Sequence, residues 1–74
     1  MSLEELRREL EEARELRRRS ADWDCIESRP EPIRTALKVL VGTGDLVGVA
    51  RAYSIPLDEL DDERMRAKIP LTMP

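Results

Sequence analysis

Apolar residues recur along this chain at helical intervals, in two stretches of different character. In the first, Leu3, Leu6, Leu10 and Ala13 fall at the a and d positions of a seven-residue repeat, and Leu16 broadens the stripe. The pattern predicts one long helix over residues 2–19. Ser2 is suited to cap it, with Glu5 three residues later completing a capping box. Glu-before-Arg pairs such as Glu4–Arg8 and Glu15–Arg19 line the opposite face. Acids come early, and Arg17, Arg18 and Arg19 come last, as the helix dipole favours. No second apolar helix of that length exists in the chain to cover the stripe. Its natural use is self-association through Leu3, Leu6, Leu10, Ala13 and Leu16.

The second stretch is built of shorter pieces. Ile33, Ala36, Leu37, Leu40 and Val41 follow the i, i+3, i+4, i+7, i+8 pattern, so residues 32–41 read as a helix with Pro32 in its first turn. Gly42 and Gly44 end it, one of them as a left-handed cap. Asp45 then caps a short helix reaching about Tyr53, with Leu46, Val49, Ala50 and Tyr53 inward. Ser54-Ile55-Pro56 makes a tight turn. A further helix runs over about 56–68, with Leu57, Leu60 and Met65 as its apolar positions, until Pro70 stops it. Residues 20–30 are ambiguous: Trp23 and Ile26 suit one helical turn, while Arg29-Pro30 and Glu31-Pro32 break the chain.

The fold class expected is therefore all-α: a long N-terminal amphipathic helix, then a small three-helix unit of helix-turn-helix type. It divides into an oligomerisation helix (1–20), a connector anchored by Trp23 (21–31), the helical unit (32–69) and an extended tail (70–74). The segment VLVGTGDLVG invites a nucleotide-binding reading. A glycine fingerprint works only inside a βαβ unit, for which this chain has no room.

Composition narrows the chemistry. The 74 residues include no His, Asn, Gln or Phe, and 11 of the 13 basic residues are Arg. Few amides with dense Glu and Arg suit a thermophilic source, although genome base composition produces the same Arg bias. Without His there is no ready base near neutral pH and no usual zinc set, so we expect no catalytic residue, no cofactor and no metal. Cys25 sits beside Asp24 and near Glu27, whose charges oppose a thiolate; it reads as a small packing residue. A lone cysteine forms no internal disulfide, and a cytoplasmic location is expected. No apolar run is long enough for a membrane span, and the N-terminus carries no signal-like apolar region.

The net charge of −3 is spread without a basic arm: residues 1–20 hold six Glu and six Arg, and 45–74 hold six acids against four bases. Asp58, Glu59, Asp61, Asp62 and Glu63 form a solvated helix start. With Ile69 and Leu71, the residues Asp58, Glu59, Asp61 and Asp62 are the candidate partner-binding positions. Arg17, Arg18 and Arg19 either compensate the helix dipole or contact phosphate.

The stretch ALKVLVGTGDLVGVARAYSIPLDEL, followed by KIPL, resembles the small prokaryotic helix-turn-helix antitoxins that accompany PIN-domain ribonuclease toxins. Leu46, Ala50, Ile55, Glu59, Ile69 and Pro70 carry the similarity over residues 36–70. Val49-Ala50 stands where the family has paired alanines, and Ser54 where it has a turn glycine. The resemblance implies toxin binding and DNA binding. The residues themselves leave two functions open. One is a non-catalytic interaction module, a homodimer or higher homo-oligomer that docks a protein through its C-terminal helices or tail. The other is a dimeric DNA-binding regulator or antitoxin, against which the acidic 57–63 segment weighs because carboxylates repel phosphates.

Overall fold

Helix starts in this chain are chemically marked. The Ser2 hydroxyl accepts the Glu5 N–H at 3.1 Å and opens α1 (Leu3–Ser20). The Asp22 and Asp45 carboxylates accept the N–H groups of Cys25 and Gly48 at 3.1 and 2.9 Å, opening α2 (Trp23–Ser28) and α4 (Leu46–Ala52). Gly48 is needed there, because a Cβ would collide with the Asp45 carboxylate. Prolines precede the other two helices, α3 (Ile33–Thr43) after Pro32 and α5 (Leu57–Arg66) after Pro56. Beside the start of α3, the Glu31 carboxylate accepts from the Thr35 hydroxyl and from Arg34 Nε at 2.8 Å. These bonds, that of Thr35 foremost, hold its pKa below the usual carboxylate value.

The structure, a computed structural model, describes residues 2–71 and contains no strand among them. The extended tail expected over 70–74 lies outside the described residues beyond Leu71. Helix α3 is the centre of the fold and packs against each of the other four helices. Its buried residues are Ile33, Ala36, Leu37, Leu40 and Val41, the face its periodicity predicts. Around it close Ile26, Val49, Ala50, Ile55, Leu60, Ala67 and Ile69, with Leu46 and Tyr53 partly buried against the cluster.

Helix ends explain how two isoleucines enter that core. Lys68 adopts a left-handed conformation, φ 57°, so that the Lys68 N–H reaches Met65 O and the Ile69 N–H reaches Arg64 O, each at 3.1 Å. Ser54 does the same after α4, φ 55°, with Ser54 N–H on Arg51 O at 3.3 Å and Ile55 N–H on Ala50 O at 2.9 Å. Both turns reverse the chain and drive the next residue, Ile69 or Ile55, inward. Neither position is glycine, although the left-handed region costs an ordinary residue about 1–2 kcal/mol. Lys68→Gly is therefore expected to stabilise the fold by about 0.5–1 kcal/mol, less the entropy glycine adds to the unfolded chain. Urea titration should show a higher midpoint with an unchanged slope; a lower midpoint would show that the turn is held by the Lys68 side chain.

Several expectations need correction. The helical turn that Trp23 and Ile26 suit is α2, which forms within residues 21–31. Its anchor is Ile26, fully buried; Trp23 is exposed, with its indole N–H donated to Arg18 O at 2.9 Å. Glu15 pairs with Arg18 at 2.5 Å, three residues on. In α5, Leu57 and Met65 face outward, Met65 being 61% exposed. The inward face is Leu60, Glu63 and Ala67.

That places a carboxylate in the core margin. Glu63 is buried because Arg29, at the end of α2, closes on it in a two-pronged pair, Nε to Oε2 at 2.6 Å and a terminal nitrogen to Oε1 at 2.7 Å. The hydrogen bond to Glu63 raises the Arg29 pKa despite desolvation. Glu63 is thus no part of the solvated acidic run.

Candidate docking faces

The apolar stripe of α1 continues past the bundle. The helix, 18 residues long, spans about 27 Å, within a molecule 39 Å along its longest axis. Only its C-terminal part meets α3. There Arg17, 4% exposed, donates its Nε to Val41 O at 2.8 Å and a terminal nitrogen to Gly42 O at 3.4 Å, while Arg14 Nε reaches Gly42 O at 3.1 Å. Those carbonyls lie in the last turn of α3, where intrahelical donors run out and a cation meets the negative end of the dipole. Burial, then the charge of Arg14, pulls the Arg17 pKa below the usual guanidinium value. Gly44 makes room for the arrangement: it is the left-handed cap, φ 70°, and a Cβ on it would lie 2.7 Å from an Arg17 nitrogen.

Arg17 is thus occupied inside the fold and is withdrawn as a phosphate contact. Arg18 and Arg19 remain exposed. Toward the N-terminus nothing among the described residues covers the stripe: Leu3, Leu6 and Leu10 are 72%, 39% and 45% exposed, and Ala13 is partly buried. At about 100° per residue, these four fall in an arc of about 80° centred on the direction of Arg17. Leu16 is also exposed, but lies about 100° from that centre, on the flank.

A second face lies at the turn between α4 and α5. Val47, Ala50, Ile55, Pro56 and Leu57 line an open groove of about 430 Å³, with Arg51 and Ser54 as its polar lining residues. Val47 and Leu57 are both exposed. Asp58 and Glu59 follow Leu57 in the first turn of α5 and are exposed, as is Asp62. Asp61 is partly buried and pairs with Arg64 Nε at 2.8 Å; Arg64 in turn donates to Ile69 O at 2.8 Å. Ile69 is in the core and is withdrawn as a contact for a partner; Leu71 is exposed. The groove was not legible in the sequence, where Leu57 reads only as an apolar position of the last helix. The outward place of Val47, off the 46, 49, 50, 53 face, is the one signal that pointed to it.

Among the described residues no group of His, Cys, Asp and Glu is placed to hold a metal ion, and no helix is long and apolar enough to cross a membrane. Cys25 is a free thiol packed against the core cluster.

No family model, curated protein or solved structure matches the chain.

Proposed function

We propose that the protein is a small non-catalytic interaction module, which self-associates through the N-terminal half of α1 and docks a protein partner through the α4–α5 end. The observation that carries this reading is the uncovered row Leu3, Leu6, Leu10 on a helix whose remaining length is already packed. A row of leucines on one helical face is costly in water, and burying each contributes about 1.5–3 kcal/mol. The second face supports it as well: an open apolar groove, whose lining residue Leu57 is followed in the chain by the exposed Asp58 and Glu59, suits a partner with apolar and basic groups.

The test is solution mass by light scattering at high micromolar concentration. Leu6→Glu with Leu10→Glu is expected to convert an oligomer to a monomer while helix content and melting behaviour of the bundle persist, since neither leucine belongs to the core. A monomeric wild-type chain would overturn the reading. Tight, salt-dependent binding of duplex DNA would instead favour the regulator suggested by the likeness to helix-turn-helix antitoxins. The exposed carboxylates of α5 oppose that outcome.

A further inference from the structure

Helix α1 meets the bundle through polar and small residues. Glu9 and Ala13 are partly buried and Arg17 is buried, while every leucine of the helix stays exposed. Residues four apart share one helical face, so Glu9, Ala13 and Arg17 form the side turned to α3. None of the buried apolar residues belongs to α1; the first of them in the chain is Ala21, just past its end. The attachment is made instead by hydrogen bonds, Arg17 Nε to Val41 O at 2.8 Å and Arg14 Nε to Gly42 O at 3.1 Å.

The base of the helix is tied down separately. The Asp22 N–H reaches Ala67 O at 2.7 Å, and the Trp23 indole holds Arg18 O at 2.9 Å. We propose that α1 upstream of Arg18 is a releasable arm, latched by Arg17 to the C-terminal turn of α3, and that it detaches while α2 to α5 stay folded. An element that adds no apolar residue to the core opens at a lower free energy than the whole domain. Opening leaves the buried cluster intact, because that cluster lies within residues 21–69.

The latch can be worked from both sides. On α1 it is the Arg17 guanidinium. On α3 it is the space left by Gly44, where a Cβ would lie 2.7 Å from an Arg17 nitrogen and displace the guanidinium. Release bares residues 9, 13 and 17 and uncovers the last turn of α3, so the latch sets how much of α1 the protein presents. This device is independent of whatever the leucine row contacts. Once detached, a helix of this length is marginal in water, so its amides exchange each time the arm opens.

The experiment is native-state hydrogen exchange on the full chain carrying Leu6→Glu and Leu10→Glu, so that association of copies adds no protection. Arg17→Ala, Gly44→Ala and their combination are measured in the same background. Amides of residues 10–17 are expected to be protected, yet to exchange at least about tenfold faster than those of residues 36–39 in α3. Arg17→Ala should speed exchange in α1 and in the last turn of α3 by about tenfold or more, and in α5 by less than about twofold. Gly44→Ala should also speed exchange in α1, and the combination should be no faster there than Arg17→Ala alone, since no guanidinium is left to displace. Equal loss of protection in α1 and α5 on Arg17→Ala would make the molecule one cooperative unit and overturn the arm. Unprotected α1 amides before either latch substitution, or additive effects of the two on α1, would overturn the latch.

Discussion

Leu37→Ala is expected to be the most destabilising single substitution in the α3 face, costing about 2–5 kcal/mol. Leu37 is fully buried in the helix on which every other helix packs, so no neighbour can collapse into the gap without breaking its own contacts. Native domains of this size hold about 0.05–0.15 kcal/mol per residue, so the loss removes a large part of the total stability. Far-UV circular dichroism with urea should show a midpoint shifted strongly downward or a broad transition already begun in buffer. Met65→Ala is the matched control. Met65 is an apolar position of α5 that the structure places outward, so its effect should stay within about 0.5 kcal/mol. A Met65→Ala loss comparable to that of Leu37→Ala would mean that the α5 face has been assigned wrongly.

Arg17→Ala should have the second largest effect, about 2–3 kcal/mol, through a different mechanism. The substitution strips the donor from Val41 O and reduces the donors at Gly42 O, leaving carbonyls at the end of α3 facing a cavity. It also removes a cation from the negative end of a helix. Arg17→Lys should recover only part of the loss, because an ammonium cannot replace a planar guanidinium reaching two carbonyls at once. Hydrogen exchange locates the damage: the amides of α4 and α5 should stay protected to within the global change, and those of the last turn of α3 should open first. Uniform loss across all helices with full rescue by lysine would show that only the charge at this position matters.

Helices and their punctuation were open to reading from the chain. Ser2, Asp22 and Asp45 carry side chains that satisfy the free N–H groups of a helix start, and local hydrogen bonding of that kind acts within a few residues. The α3 face was equally plain, since five apolar residues at a 3.6 period leave one way to bury them. The all-α class and the long first helix follow from the same local rules.

Long-range pairings decided everything the periodicity missed. Glu63 looks like one more acid in a solvated run, and the two-pronged pair with Arg29, 34 residues away, joined by Arg66 at 3.4 Å, makes its burial tolerable. With Leu60 and Glu63 inward, Leu57 and Met65 face out, and Leu57 lines the groove with Val47. Arg17 looks like part of a basic helix end; it becomes a structural cap because the carbonyls of Val41 and Gly42 arrive from 24 and 25 residues downstream. Ile69 looks like a tail residue available to a partner, yet the left-handed turn at Lys68 folds it into the core. The sequence by itself determined where helices begin, end and carry their apolar faces, because capping and periodicity are properties of neighbouring residues. Which charges are buried, and which leucines stay bare, depends on partners distant in the chain, and that only the tertiary structure decided.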